Sequence, residues 1–165
     1  MRRAIYAGSF DPVHNGHIDI IERAIDLFPT RRITVIVANN RDKNHYFSIE
    51  ARMVMMQKAL SHLADKVEII SYEGIIADWA NENDADVMIR GLRDGFDLSY
   101  EFNLEQFTRG TSGLETVYLT PKTINLNTSS SLVRMFISTN KFVAAKDLVP
   151  KNVLQYIETS ISYIN

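Results

Sequence analysis

The sequence predicts one α/β domain built on a parallel, doubly wound sheet. Three observations support this prediction. Short runs of β-branched and apolar residues recur along the chain, apolar residues at helical spacing fill the stretches between them, and the connections are short. The 165 residues are enough for one domain with its own core, so residues 1–165 are expected to form a single unit.

Five segments are predicted as strands because they are short, rich in Val, Ile, Thr and Tyr, and bounded by polar or turn-forming residues. In chain order they are Ala4–Ala7, Ile33–Ala38, Val67–Ser71, Val87–Arg90 and Thr116–Leu119.

The segments between the strands carry apolar residues three and four positions apart, as amphipathic helices do. Ser48 offers an N-cap to the second of these helices, and Pro150 suits the first turn of the last one. The predicted helices are Ile18–Phe28, Ile49–Leu63, Ile75–Asn81, Phe96–Phe107, Ser130–Ile137 and a C-terminal helix from about Pro150 through Ile161.

Polar residues cluster directly after four of the predicted strands. Residues 9–17 follow the first strand, Lys43 follows the second, residues 90–93 end the fourth, and residues 128–131 follow the fifth. Doubly wound sheets bind ligands beyond the carboxyl ends of their strands, where the strand order reverses. We therefore expect these four clusters to share one binding site.

The composition narrows the function classes. A net charge of −2 argues against general binding of nucleic acid, which needs a basic face. The absence of cysteine excludes disulfides, thiol catalysis and cysteine–zinc sites. No apolar run reaches membrane-spanning length and the N-terminus leads directly into a strand, so we expect a cytoplasmic protein without a membrane partner.

Residues 8–17, GSFDPVHNGH, are the most informative segment. They join the first strand to a helix, whose N-terminus offers free N–H groups and a positive dipole end that suit phosphate. Gly8 and Gly16 let the backbone approach a ligand, and His14 and His17 add hydrogen-bond donors.

Two simpler explanations exist for the paired histidines. One of them could merely cap the helix, or His14 and His17 could bind a structural metal together with Asp11. The metal site is disfavoured because Asp11 is the one acid nearby and no cysteine is available.

Residues 14–17, HNGH, resemble the (H/T)xGH signature of the nucleotidyltransferase superfamily. Residues 90–93, RGLR, followed by Tyr100-Glu101, resemble one branch of it, the phosphopantetheine adenylyltransferases. Two arginines three positions apart at a strand end can present forked donors to one phosphate. The resemblance covers nearly the whole chain, and the other residues that carry it are Gly8–Pro12, Lys43, Ile89 and Thr128–Val133.

The resemblance implies a Rossmann-like nucleotidyltransferase fold with a C-terminal helix. It also implies transfer of an adenylyl group from ATP to 4′-phosphopantetheine, which gives dephospho-coenzyme A and pyrophosphate. The acceptor phosphate would attack in line, without a covalent enzyme intermediate. Mg²⁺ accompanying the triphosphate, feedback inhibition by coenzyme A and a homohexameric assembly are further expectations from the family.

By the same resemblance, His17 stabilises the transition state, with Lys43 and Arg90 as the other catalytic residues. The acceptor is expected to bind to Ser9, Lys43, Ile76 and Arg90. The residues expected to bind ATP are Ser9, Phe10, His17, Gly91, Leu92, Arg93, Glu101, Asn125, Leu126, Asn127, Thr128, Ser129, Ser130 and Ser131.

Three features depart from this branch. Position 14 is usually threonine, whereas His14 is similar to nicotinamide and nicotinate mononucleotide adenylyltransferases. Residues 125–128 lack a common aromatic residue, and Thr108 stands where an asparagine usually contacts the pantetheine arm. A mononucleotide adenylyltransferase, a cytidylyltransferase and a nucleotide-binding regulator without turnover are therefore the alternatives.

Overall fold

The computed structural model describes residues 3–29, 32–93 and 95–162. The side chain of Tyr100, one of the residues that carry the family resemblance, lies outside the described part. The side chains of Phe96, Phe107 and Ile161, which contribute to two of the predicted helices, lie outside it as well.

Five parallel strands form one sheet in the order β3-β2-β1-β4-β5, which confirms the predicted architecture. The strands are β1 Arg3–Gly8, β2 Ile33–Ala38, β3 Val67–Tyr72, β4 Ala85–Gly91 and β5 Glu115–Leu119. β2 has its predicted bounds, and the other four are longer by one or two residues at one or both ends. The strand order reverses between β1 and β4, which marks the place where a ligand site is expected.

Seven α-helices connect or follow the strands in the described part of the chain. They are α1 Asn15–Leu27, α2 Ile49–Ala59, α3 Ile76–Glu82, α4 Gly95–Ser112, α5 Ser130–Ser138, α6 Phe142–Ala145 and α7 Lys151–Ser162. None of the helices among these described residues is long and apolar enough to cross a membrane.

The helix predictions differ from the structure at several places, and α4 ends at Ser112 rather than at the predicted Phe107. α1 begins at Asn15 rather than Ile18, because its first turn is polar and carries no apolar signal. One continuous helix over 49–63 is wrong: Leu60 leaves helical geometry at φ −105° and ψ 14°, and a 3₁₀ turn follows. The short α6 and a 3₁₀ turn at Thr123–Asn125 were not predicted, since neither is long enough to show a periodicity.

Helices cover both faces of the sheet. Because successive side chains of a strand point to opposite faces, each strand contributes alternate residues to the two cores. Tyr6 and Ile89 belong to the core under α1, α2, α5 and α7. Their neighbours Ile5 and Met88 belong to the smaller core under α3 and α4. Each face therefore presents its own set of side chains at the carboxyl edge of the sheet.

The side chain of Arg52, on α2, is fully buried. Its guanidinium donates hydrogen bonds to the carbonyl oxygens of Ser9 and Ala38 at 2.8 Å each, to that of Phe47 at 3.2 Å, and to Oδ1 of Asn39 at 2.8 Å. A buried charge needs such partners. Arg52 thereby joins the loop after β1 to the loop after β2.

The carboxylate of Asp11 ties the same two loops from the other side. It accepts hydrogen bonds from the backbone N–H groups of Tyr46 at 2.7 Å and Phe47 at 2.9 Å. Arg134 on α5 donates to the Asp11 carbonyl at 2.6 Å. The preceding residue, Phe10, has a φ of +47°, which is uncommon for a bulky side chain, and these contacts hold the loop in that conformation.

Candidate active site

Two clefts open at the carboxyl edge of the sheet, beside the reversal between β1 and β4. The first cleft has a volume of about 310 Å³ and lies on the α1 and α5 face. The second cleft has a volume of about 630 Å³ and lies on the α3 and α4 face. Glu101 on α4 lines both of them.

Strand alternation explains why two clefts meet here. On β1, Tyr6 lines the first cleft and Ala7 lines the second. On β4, Arg90 lines the second cleft and Gly91 lines the first. Consecutive residues thus project into different clefts, and ligands bound in the two would approach each other across the end of the sheet.

The predicted site residues divide between the clefts according to their predicted partners. The four expected acceptor residues, Ser9, Lys43, Ile76 and Arg90, all line the second cleft. The first cleft is lined by most of the residues expected to bind ATP: His17, Gly91, Arg93, Glu101, Asn125, Thr128, Ser129, Ser130 and Ser131.

Five residues named for ATP do not line the first cleft. Ser9 lies in the second cleft. The ring of Phe10 is buried, at 3% exposure, and the backbone N–H of Leu92 donates to the Leu119 carbonyl at 2.9 Å. Leu126 and Asn127 line neither cleft.

His17 lies at the third position of α1, with its ring stacked on that of His14 at a centroid distance of 3.5 Å. The ring of Phe10 packs edge-to-face on His17, at 4.9 Å and 86°. The backbone N–H of His14 donates to Nδ1 of His17 at 3.2 Å. Because Nδ1 is the acceptor, the hydrogen of the neutral imidazole is on Nε2, which becomes a donor.

Both histidines are held neutral. Burial, with a smaller contribution from the nearby charge of Arg93, lowers the pKa of His14 to about 3. Burial, His14 and Arg93 lower the pKa of His17 well below its usual value. A buried imidazole with positive charge nearby resists protonation. At neutral pH, His17 therefore offers an uncharged N–H donor.

Gly8, at the end of β1, is required by the position of Phe10. A Cβ at residue 8 would lie 3.1 Å from the Phe10 ring, which is closer than ordinary contact. The Phe10 ring in turn supports His17. The glycine therefore allows the packing that orients the histidine.

The serines after β5 combine capping and lining roles. Ser129 is the N-cap of α5, and its Oγ accepts from the Leu132 N–H at 3.1 Å. Ser130 donates to the Pro12 carbonyl at 2.8 Å, and Ser131 accepts from Arg134 at 3.1 Å. Ser129 therefore caps α5, and the N-terminus of α5 also faces the first cleft.

The second cleft is lined by cationic and acidic side chains. Lys43 is exposed in the loop after β2. In the same loop, Arg41 forms an ion pair with Glu73, which follows β3. At the inner end, the Nε of Arg90 lies 3.2 Å from an oxygen of Glu101, and both of these side chains are less than a fifth exposed.

Several lining residues were missed by the sequence analysis. In the first cleft these include Tyr6, Ile20 and Pro121. In the sequence, Tyr6 and Ile20 look like ordinary core residues. Only the tertiary packing shows that both also border the first cleft. Glu73 and Gly74 line the second cleft, and the φ of +143° at Gly74 requires glycine. Both directly follow β3 at its carboxyl end, a position that could have indicated them.

A metal site built on His14, His17 and Asp11 is not supported. The Asp11 carboxylate binds backbone N–H groups of the β2 loop. Within residues 3–29, 32–93 and 95–162, no three His, Cys, Asp or Glu side chains form a group that could hold a metal ion.

Comparison with known proteins agrees with this arrangement. The family model described as cytidylyltransferase-like matches residues 5–136. The phosphopantetheine adenylyltransferase of Nautilia profundicola is 41% identical over 154 residues, which cover 93% of this chain and 97% of the relative. Those of Legionella pneumophila strains Lens and Philadelphia 1 are each 38% identical over 158 residues, which cover 95% of this chain and 90% of the relative.

All the described residues that line the two clefts lie within the matched residues 5–136. The sequence identity to the three relatives extends over almost the full length of this chain. The chain is therefore a nucleotidyltransferase that belongs to the cytidylyltransferase-like family and, within it, to the phosphopantetheine adenylyltransferases.

Proposed function

We propose that the chain transfers the adenylyl group of ATP to 4′-phosphopantetheine, forming dephospho-coenzyme A and pyrophosphate in coenzyme A biosynthesis. The observation that carries the proposal is the pair of clefts, each with phosphate-binding groups, which meet at the end of β1 and β4. The names of the relatives supply the acceptor.

ATP occupies the first cleft in this proposal. The N-termini of α1 and α5 face it, and helix N-termini suit triphosphate oxygens. Arg93 adds a positive charge, and Asn125 and Thr128 add polar groups at the opposite wall.

The acceptor occupies the second cleft. Lys43 and Arg90 would neutralise its phosphate, and the Ser9 hydroxyl would donate to a phosphate oxygen. Ile76, at the start of α3, offers apolar contact to the pantetheine arm. The side chain of Arg90 is less than a fifth exposed, and its partner Glu101 also lines the first cleft.

The reaction needs little covalent chemistry from the protein. An oxygen of the acceptor phosphate attacks the α-phosphorus of ATP, the new O–P bond forms, and the bond to the leaving pyrophosphate breaks. The Nε2–H of His17 donates a hydrogen bond to the α-phosphate, where charge accumulates. Positioning and charge stabilisation account for catalysis in this scheme.

Mg²⁺ would enter with the triphosphate and neutralise charge on the leaving pyrophosphate. Among the described residues that line the first cleft, the one carboxylate is that of Glu101, and it is already paired with Arg90. The donor set therefore fits a metal held mainly by the ATP phosphates rather than by protein ligands.

The proposal also includes an oligomeric state, a feedback inhibitor and a cellular location. We infer a homohexamer, which the exposed apolar side chains of Leu98 and Phe102 on α4 support as interface material. Coenzyme A would act as a feedback inhibitor through the arm that it shares with the acceptor. The cytoplasm, where ATP is available, is the proposed location.

The acceptor is tested by incubating the protein with MgATP and either 4′-phosphopantetheine, nicotinamide mononucleotide or nicotinate mononucleotide. We expect pyrophosphate and adenylylated product with 4′-phosphopantetheine alone. Product with a mononucleotide alone would favour the alternative that His14 suggests. Product with none of the three would contradict the proposed function.

Replacing His17 by alanine should lower kcat by about 10²-fold or more while the affinity for ATP changes little, because the lost donor acts mainly in the transition state. Steady-state kinetics and ATP titration measure both quantities. His62→Ala, an exposed histidine far from the clefts, is the matched control. Near-normal turnover in His17→Ala would remove this residue from the mechanism.

Replacing Lys43 by alanine should mainly raise the KM for 4′-phosphopantetheine, by about tenfold, because one cation of the phosphate site is lost. The KM for ATP should stay near that of the wild type. Lys66→Ala, at the amino end of β3 and the opposite edge of the sheet, is the control. If the acceptor KM is unchanged, Lys43 is a solvated loop residue.

The neutral histidines predict how stability depends on pH. Their pKa values are lowered in the folded state, so the unfolded chain takes up more protons below about pH 6.5. Their contribution to stability is complete above that pH and declines as the pH falls toward about 3 for His14. Urea unfolding between pH 4.5 and 7.5 should give a shallower pH dependence for His14→Gln than for the wild type, and parallel curves would contradict this prediction.

A further inference from the structure

Four polar side chains form a square behind the second cleft, with Arg90 and Tyr118 on the sheet and Glu101 and Glu105 on α4. Arg90 and Tyr118 are register partners on β4 and β5, so their side chains leave the sheet on the same face. Glu101 and Glu105 are four residues apart, which places them on one side of the helix.

Each sheet residue of this polar square contacts one carboxylate of the helix. Arg90 Nε lies 3.2 Å from Glu101, and the Tyr118 hydroxyl donates to Glu105 at 2.9 Å. All four side chains surround a cavity of about 10 Å³, room for about one water molecule. The space inside the square is therefore too small for a substrate, and its side chains connect α4 to the sheet. On their other side, Glu105 and Tyr118 line an open cleft of about 630 Å³ beside Leu98 and Phe102.

The second connection joins a buried carboxylate to a half-buried hydroxyl. Glu105 is 8% exposed, and Arg109 on the same helix also pairs with its carboxylate. Burial and the hydrogen bond to Glu105 raise the pKa of Tyr118 to about 12, so its hydroxyl remains a donor at neutral pH. The Tyr118–Glu105 bond therefore persists under the conditions in which the enzyme works.

We propose that Tyr118 and Glu105 are a positioning pair for Arg90. Their bond holds α4 against β5 one turn beyond Glu101, and Glu101 in turn holds the guanidinium that faces the acceptor. Neither residue of the pair lines the second cleft. The inference rests on the proposed function, since it takes Arg90 as a ligand of the acceptor phosphate.

Tyr118→Phe tests the pair because it removes the donor and keeps the ring. We expect the KM for 4′-phosphopantetheine to rise about three- to tenfold, the range for one lost hydrogen bond, with kcat and the KM for ATP close to wild type. Tyr156→Phe, on α7 at the other face, is the matched control. Wild-type turnover in the same assay tests the proposed function separately.

Substitutions of Glu105 separate positioning from general stability. Glu105→Gln keeps an oxygen that accepts from Tyr118 and should retain the wild-type acceptor KM, whereas Glu105→Ala should behave like Tyr118→Phe. An unchanged acceptor KM in both Tyr118→Phe and Glu105→Ala would overturn the inference. So would an equal rise of both KM values together with a lower melting temperature, which indicates a structural role alone.

A readout without substrate keeps this inference distinct from the proposed function. The Nε–H of Arg90, assigned by NMR with the help of Arg90→Lys, should exchange with water more slowly in the wild type and Glu105→Gln than in Tyr118→Phe. Equal exchange in all three would overturn the positioning role even if the enzyme uses another acceptor.

Discussion

Burying the guanidinium of Arg52 would be costly without acceptors, and its acceptors come from three separate stretches of the chain: Ser9, residues 38–39 and Phe47. One side chain thereby fixes the distance between the loops after β1 and β2. Asp11 adds the second tie between them. The positions of Ser9 in the second cleft and of the Phe10 ring beside His17 both depend on these two contacts, which couple the wall of the second cleft to the orientation of the histidine.

The period-two geometry of the strands separates the two clefts. Arg90 and Gly91 are consecutive, yet one projects toward α4 and the other lines the cleft beside α1. In the proposed reaction, the two substrates would thus bring their phosphate groups to the same sheet edge without competing for the same donors. Glu101 contacts Arg90 from α4 and completes the boundary between the clefts.

The sheet could be predicted because each strand is a compact β-branched run, and the carboxyl-edge rule then placed residues 9–17, Lys43 and residues 90–93 together. The start of α1 and the break at Leu60 could not be predicted, because a polar first turn and a local change of dihedral angles do not alter the spacing of apolar residues. The burial of Arg52 could not be predicted from the sequence either, since a charged residue on an amphipathic helix normally faces water. The pairing of Tyr118 with Glu105 depends on strand register, which one sequence does not specify.

The placement of the clefts on opposite sides of the sheet edge has a consequence for the joined product. Dephospho-coenzyme A carries both the adenylyl group and the pantetheine arm, so in the proposed arrangement it would occupy both clefts at once. Once one half of the product is bound, the covalent link would hold the other half at a high effective concentration near its own cleft. The product should therefore be retained more strongly than either fragment alone, which makes its departure a candidate for the slowest event in each turnover.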